Sequence, residues 1–412
     1  IPRRLYDTIA AAEILHFSQI SDKSLPDLKS LLQAHIKPCH IPSELRETFQ
    51  KPEDISLQQA LLLPYLHKEL MVEARKRFGS TQPVEIENAF IPELIRIEAA
   101  GIPVDAASLI PHLAPLEKRM AELNKAMEES VGKNIDVRDR IRAEMQPVQA
   151  EISFIKKFTQ TDNGRVFATF NSYSCASGRI STCNPSVQGI RRDYKDVLYL
   201  ALPGKAIISV DLPASQLRIA SIIAQDKHLI EAIRADKDLH RETASRLFKK
   251  SPEEISEVER QIGKTANFQL LFGTGAESFK EKLEQQVGKK FNLRDVKGFM
   301  KAFREGYPGI AAWQDQIEAD TKKTGKKGIQ VTTLSGKKIH TCDYNKALNY
   351  AVAGSEAEII KSAATYFATE CRERGIDGRI INMIHDCVVV ETAIDDKETA
   401  AGLLKEAVEY SM

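Results

Sequence analysis

The chain has 412 residues, 42% hydrophobic and 28% charged, with a formal net charge of +1, an ordinary globular make-up with room for roughly two to four compact units. No apolar run approaches the ~20 residues of a membrane span, and no signal-peptide pattern opens the sequence. The charge balance excludes a bulk polycation, and six scattered cysteines without a C-x-x-C pair point to a reducing, cytoplasmic setting rather than a metal cluster or disulfide scaffold.

In chain order, residues 1–89 read as mostly helical, with Leu-rich amphipathic runs over 24–34 and 57–77 punctuated by Pro38, Pro42 and Pro52. Long helices continue over 91–100, 113–130 and 137–158, broken at Gly101-Ile102-Pro103 and near Gly132. From Arg165 the texture turns Ser/Thr/Asn-rich and leads to a strand over 206–210 that ends at Asp211. Helical patterns run from Ser215 to about Phe303, with loops near Lys237, Ser251 and Gly273-Thr274-Gly275. A turn at Ser335-Gly336, a helix over 346–374, two strands over 379–384 and 387–391, and a last helix from Asp396 complete the chain. The fold class is α+β, helix-rich with a small antiparallel sheet. Lysines and arginines crowd residues 249–338, Lys280, Lys289, Lys290 and Lys297 among them, the local positive surface a phosphate backbone requires.

Arg260, Lys264, Phe268 and Phe272 recur every fourth residue and are closed by Gly273. On a helix they share one face, cationic at its start and aromatic at its end, which suits a nucleoside triphosphate. A solvated Arg/Lys pair beside two core phenylalanines has the same spacing. Asp211 and Asp386 sit at the ends of apolar strands, Asp386 in a two-residue His385-Asp386 turn that is not a favoured hairpin pair. If the strands pair, the carboxylates converge, and hard oxygens with few partners suit Mg²⁺. Helix or loop capping is the bland reading of each acid.

These segments resemble family A DNA polymerases, the bacterial DNA polymerase I type, across most of residues 90–410. Arg260 to Gly273 resembles the fingers motif. Val210-Asp211-Leu212-Pro213-Ala214-Ser215-Gln216-Leu217-Arg218 resembles the first palm motif, and Ile384-His385-Asp386-Cys387 the second. Ser177-Gly178-Arg179-Ile180-Ser181 with Asn184-Pro185 and Gln188 resembles a segment that contacts the primer–template minor groove. Asp238-Leu239-His240-Arg241-Glu242-Thr243-Ala244 and Tyr307-Pro308-Gly309 match in the same order. The resemblance implies a right-hand polymerase that adds deoxynucleotides to a primer 3′-hydroxyl. It assigns two Mg²⁺ ions, with Mn²⁺ able to substitute, to Asp211, Asp386 and the Leu212 carbonyl. Arg260, Lys264 and His240 would take the phosphates, Phe268 and Phe272 the incoming nucleotide, and Gln216 its sugar. Arg179, Gln188, Asn349 and His385 would contact the terminal pair or primer strand.

The implied organisation is an exonuclease-like remnant over 1–89, carried by Tyr6-Asp7-Thr8-Ile9 and Tyr65-Leu66-His67-Lys68-Glu69. A short thumb follows over 90–165, then palm over 166–220, fingers over 221–325 and palm again over 326–412. Partners would be primer–template DNA and dNTPs, with no membrane, and the chain a monomer. Ile1 rather than Met opens the sequence, so a preceding segment and an organelle setting stay open. The early acidic exonuclease motifs would lie before Ile1, so proofreading is not expected in this chain, and the short thumb implies low processivity. The departures are Gln216 for Glu, Phe272 for Tyr, Leu212-Pro213-Ala214 for Tyr-Ser-Gln, Cys387 for an acid and Ala353 for Gln. They leave relaxed sugar selection, with RNA made or copied, as an alternative. A decayed DNA-binding scaffold is the other, which joint retention of Asp211, Asp386, Arg260 and Lys264 argues against.

Overall fold

The computed structural model describes residues 55–130, 135–172, 174–189, 194 and 199–411, without the side chains of 55–65, 67 and 135. The expected helix over 24–34, the prolines at 38, 42 and 52, the Tyr6 to Ile9 segment, the side chains of Tyr65 and His67, and the break near Gly132 lie outside the described residues. The elements run α1 (Ile55–Phe78), α2 (Gln82–Ala100), β1 (Ile102–Pro103), α3 (Ala106–Leu109), α4 (Leu113–Glu129), α5 (Ile135–Phe158), β2 (Arg165–Val166), β3 (Thr169–Asn171), β4 (Ser181–Cys183) and β5 (Lys205–Asp211). Next come α6 (Ser215–Ile223), α7 (Lys227–Arg234), α8 (Leu239–Phe248), α9 (Glu257–Leu270), α10 (Ala276–Val287), α11 (Leu293–Gly306) and α12 (Pro308–Thr324). The chain closes with β6 (Ile329–Thr332), β7 (Lys338–Thr341), α13 (Tyr344–Arg374), β8 (Gly378–Ile384), β9 (Cys387–Ala393) and α14 (Lys397–Ser411).

The chain divides into two compact units. The first holds the described residues up to Ile91, those of Tyr173–Arg179, and Leu212–Ser362. Its core gathers Leu239, Ile262, Leu270, Phe279, Leu283, Phe303, Tyr307 and Ile310 from α8 to α12. The helix starts carry side-chain caps that the sequence supplies: Asp226, Asp238, Ser256 and Asn292 each accept from a backbone N–H in the first turn. At α9 the cap is reciprocal, with Glu259 reaching back to Ser256. The β6–β7 hairpin packs Val331 and Ile339 on Ala347 and Ala351 of α13. A charged pair lies deep in this unit, the Lys361 ammonium 2.5 Å from Glu87, both buried.

The second unit comprises Pro92–Ser172, Ile180–Asp211 and Ala363–Met412. Its sheet has the order β5-β9-β8, antiparallel throughout. Val388, Val389 and Val390 of the central strand are all buried, so this strand is covered on both faces, as its near-continuous apolar run suggests. Two-stranded ribbons β1–β2 and β3–β4 precede β5 in the chain. Arg165 ties β2 inward. Its guanidinium donates to the carbonyls of Ala100 and Gly101 at 3.1 Å and to both Glu391 oxygens at 2.6 Å. The α4–α5 helical hairpin is held partly by surface ion pairs, Arg119–Glu144 and Lys156–Glu117. Among the described residues no helix is long and apolar enough to cross a membrane.

Four features differ from the sequence expectation. Helical pattern is expected only to about Phe303, and the chain adds α12 over Pro308–Thr324. The helix expected over 91–100 begins at Gln82 and runs through Pro92. The ribbons were not foreseen, because strands of two to four residues carry no readable alternation. The helix bearing the cationic–aromatic spacing ends at Leu270, so Phe272 lies beyond it in a turn. Gly273 has φ +72°, and the Gly273 and Thr274 amides bond back to the Leu270 and Gln269 carbonyls. Leu271 keeps helical dihedrals, and the chain turns off at Gly273, the residue that closes the spacing.

Candidate active site

Asp211, the last residue of β5, stands opposite Cys387, the first residue of β9. Ile384 also pairs with Cys387, so β8 and β9 are joined by His385 and Asp386 alone. Asp386 is therefore the chain neighbour of the residue that faces Asp211. Directly opposed residues in an antiparallel pair sit about 4.5–5.5 Å apart at Cα, so both carboxylates occupy one end of the central strand. The hairpin forms as the sequence suggested, with His385 at φ +54°, a conformation costly for a side chain with a Cβ and tolerated where surroundings impose it. Asp211 is exposed and Asp386 half-buried. Two carboxylates and a following backbone carbonyl are hard oxygen donors that fit a divalent ion retaining water or phosphate in its shell. Among the described residues no third His, Cys, Asp or Glu completes a protein-only cage, so water, carbonyl or substrate oxygens would fill the remaining positions.

The same strand end is braced by residues the sequence reading passed over. Asn382 donates to the Val187 carbonyl at 3.1 Å and to the Tyr199 hydroxyl at 2.6 Å. Burial pushes that phenol up to about 12, despite the hydrogen bond from Asn382. Gln188 donates to the carbonyls of Met383 at 2.7 Å and Ile180 at 3.1 Å. Both its amide hydrogens are thereby used, which leaves Gln188 an acceptor to offer a ligand. Asn382 had no sequence signal beyond being a polar residue inside an apolar strand.

In the first unit, α8 and α9 pack closely because Gly263 has no side chain; a Cβ there would lie 2.3 Å from the His240 carbonyl oxygen. Arg260, Lys264 and Phe268 share the outer side of α9, with Lys264 and Phe268 exposed. Arg260 is paired, its Nε 2.6 Å from Asp238. Asp238 serves twice, since its other oxygen caps α8 through the His240 and Arg241 amides. Partial burial pushes the Asp238 carboxyl up, but Arg260 and the two amides outweigh it and hold it below the usual range. His240 lies beside Phe268, ring centroids 5.9 Å apart. Burial drives its pKa down to about 4; Asp238 opposes this, and Arg260 and Lys264 reinforce it. The imidazole is neutral at pH 7.

Phe272 packs against the core of its unit, and its carbonyl accepts from Asn345 of α13 at 2.6 Å, one helical turn before the half-buried Asn349. Gln314 of α12 donates to the Leu270 and Leu271 carbonyls, closing the end of α9. Gln216 is half-buried on α6, which follows Ala214 in the left-handed region at φ 52°. Its neighbour Ser215 donates to Glu356, whose second oxygen binds the Arg179 guanidinium. Glu356 is 1% exposed and was not singled out from the sequence, where it reads as one more acid on a long helix. Ala353, one turn earlier, is fully buried.

The family model for DNA polymerase family A matches residues 116–412. The chain belongs to DNA polymerase family A. The polymerase is 29% identical over 408 residues to DNA polymerase I of Aquifex aeolicus, covering 89% of this chain and 70% of that one. It is 25% identical over 424 residues to the thermostable DNA polymerase I of Thermus caldophilus, covering 85% of this chain and 48% of that protein, so it spans about half the length of that relative. Its fold is similar to the POL domain of Pol1 from M. smegmatis, solved in complex with DNA primer–template and dNTP. The TM-score is 0.76 at 19% identity, over 98% of this chain and 78% of that one. The right-hand polymerase fold and the class of DNA-directed DNA polymerase, a nucleotidyltransferase, follow from the family, whose members use divalent metal ions.

Proposed function

We propose that this polymerase extends a DNA primer on a DNA template by nucleotidyl transfer from dNTPs, with Asp211 and Asp386 as the catalytic carboxylates. The observation that carries the reading is the strand register, which sets both acids at one end of β9. Their oxygens, with the Leu212 carbonyl next along the chain, would hold two Mg²⁺ ions, or Mn²⁺ in their place. When bound, such ions neutralise the phosphates and favour loss of the primer hydroxyl proton. On the first unit, Arg260 and Lys264 would bind triphosphate oxygens, where negative charge grows as pyrophosphate leaves. Arg260 must share its guanidinium with Asp238, a bond that leaves its two terminal nitrogens for phosphate. His240 would add a neutral donor, Phe268 a stacking face, and Phe272 with Gly273 a pivot beyond the helix. Gln216 would pack on the sugar, keeping the bulk of a carboxylate without its charge. Arg179, Asn349 and His385 would donate to minor-groove acceptors or the primer strand, while Gln188 supports the strand end.

The α4–α5 hairpin would act as a short thumb, residues 221–325 as fingers, and the β5-β9-β8 sheet as palm. Low processivity fits a thumb of two helices. Extension of one DNA primer with dNTPs and with rNTPs, on DNA and RNA templates in Mg²⁺, tests the assignment. Preferential dNTP incorporation on DNA is expected. Equal or faster rNTP incorporation would replace it with a polymerase of relaxed sugar choice, and binding without extension would favour a scaffold.

A further inference from the structure

Behind His240 runs a buried chain of polar side chains that no part of the nucleotide reading uses. Asn267 of α9 is 1% exposed, Thr243 of α8 fully buried and Tyr307 1% exposed. The Asn267 amide nitrogen lies 3.0 Å from His240 Nδ1 and 3.3 Å from the Leu239 carbonyl. Its oxygen accepts from the Thr243 hydroxyl at 2.8 Å. That hydroxyl is also 2.8 Å from the Leu239 carbonyl and 2.7 Å from the Tyr307 hydroxyl.

The hydrogen count favours one arrangement. The Leu239 carbonyl can only accept, so the amide group facing it is the NH₂, and a flipped Asn267 would set its oxygen against that carbonyl oxygen. An NH₂ donates, so the His240 Nδ1 that meets it must carry a lone pair. The single ring proton is then on Nε2. Tyr307 donates to Thr243, whose one hydrogen is shared between Asn267 Oδ1 and the Leu239 carbonyl. Every hydrogen has an acceptor, and burial of the whole chain makes each alternative costly.

We propose that Asn267 and Thr243, backed by Tyr307, are positioning residues that lock His240 as the neutral Nε2–H tautomer and so present a directional donor to the nucleotide phosphates. The role rests on the nucleotide-facing assignment of His240 made above. The low proton affinity of the ring agrees with it, since burial and the neighbouring cations both disfavour a second proton. Arg260 and Lys264 supply charge without strict direction, and a locked imidazole supplies direction without charge. The device also explains why Asn, a poor helix former, occupies the interior of α9 one residue before Phe268.

Long-range ¹H–¹⁵N spectra of the ¹⁵N-histidine-labelled enzyme at pH 7, assigned by loss of signal in His240→Ala, read the tautomer directly. The Nε2–H pattern is expected in the parent. Asn267→Asp, whose carboxylate cannot donate, is expected to draw the proton to Nδ1. Thr243→Ser, which keeps the hydroxyl, is expected to retain the parent pattern, and it serves if Asn267→Asp proves unstable. In single-nucleotide incorporation, Asn267→Asp is expected to raise the dNTP KM about tenfold, the worth of one hydrogen bond, with kcat changed less. The double variant with His240→Ala should be no worse than His240→Ala alone. An Nδ1–H or doubly protonated ring in the parent, or additive effects in the double variant, would overturn the proposal. A parent-like dNTP KM for His240→Ala would instead overturn the nucleotide-facing assignment while leaving the tautomer result to stand on the spectrum.

Discussion

Replacing Gly263 by alanine adds one methyl group where α8 and α9 touch backbone to backbone. The new Cβ would lie 2.3 Å from the His240 carbonyl oxygen, 2.9 Å from the Ala244 nitrogen and 3.0 Å from the Ala244 Cβ, against an ordinary contact of 3.4 Å or more. Two of these neighbours are main-chain atoms that cannot rotate aside, so the helices must part by about 1 Å. Overpacking of this kind costs roughly 1–3 kcal/mol, and the helix preference of alanine over glycine returns about 1 kcal/mol. The net expectation is a loss of about 1 kcal/mol. The same separation carries the 3.0 Å Asn267–His240 contact beyond hydrogen-bonding range. Gly298 of α11 is the matched control, because it is exposed and nothing lies within 4 Å of its Cβ position. Gly298→Ala should therefore stabilise by about 0.5–1 kcal/mol. Urea unfolding reads the stability, and single-nucleotide incorporation reads the dNTP KM, expected to rise several-fold for Gly263→Ala alone. A Gly263→Ala enzyme as stable as Gly298→Ala, with the parent's dNTP KM, would refute the close helix contact and what depends on it.

Two further outcomes are expected. Glu87→Ala removes the carboxylate 2.5 Å from the buried Lys361 ammonium, whose pKa burial already lowers against the pull of Glu87; it should cost about 3–5 kcal/mol in urea unfolding, with Glu87→Leu/Lys361→Met recovering much of it, and a cost under about 1 kcal/mol would contradict the buried pair. His240 titrates near 4 when folded against 6.5 for the free group, so on acidification the unfolded chain takes the proton first and stability falls as pH drops from 6.5 toward 4. Allowing for partial solvent screening this amounts to about 1–2 kcal/mol, and a His240→Gln enzyme whose acid limb matches the parent's would show the imidazole is not held neutral.

Much of the β5-β9-β8 sheet and of α9 was legible because burial and capping write themselves locally. Ile207, Ile208 and Val210, then Val388 to Val390, mark strands, and the acids that end them coincide with the strand ends in the sheet. Ser256 and Glu259 mark the start of α9 through their reciprocal cap. The four-residue spacing continues to Phe272, two residues past the last residue of α9, and the backbone turns off at Gly273, which closes it. What spacing cannot carry is pairing at long range. Glu356 meets Arg179 and Ser215 across 177 and 141 positions, and Asn267 meets Thr243 and His240 from the next helix. Polar residues inside helices read as solvent-facing until a fold buries them, so the supports of the site were invisible while its exposed contacts were not.

The central claim is that Asp211 and Asp386 act together at one end of the palm sheet. Single-turnover incorporation of one dNTP in Mg²⁺ should be measured for the parent, Asp211→Asn and Asp386→Asn, with primer–template affinity measured alongside. Each amide, isosteric but uncharged, is expected to slow incorporation roughly a thousandfold, a barrier increase of about 4 kcal/mol, while DNA affinity stays within about threefold. Either variant incorporating within tenfold of the parent would contradict the assignment.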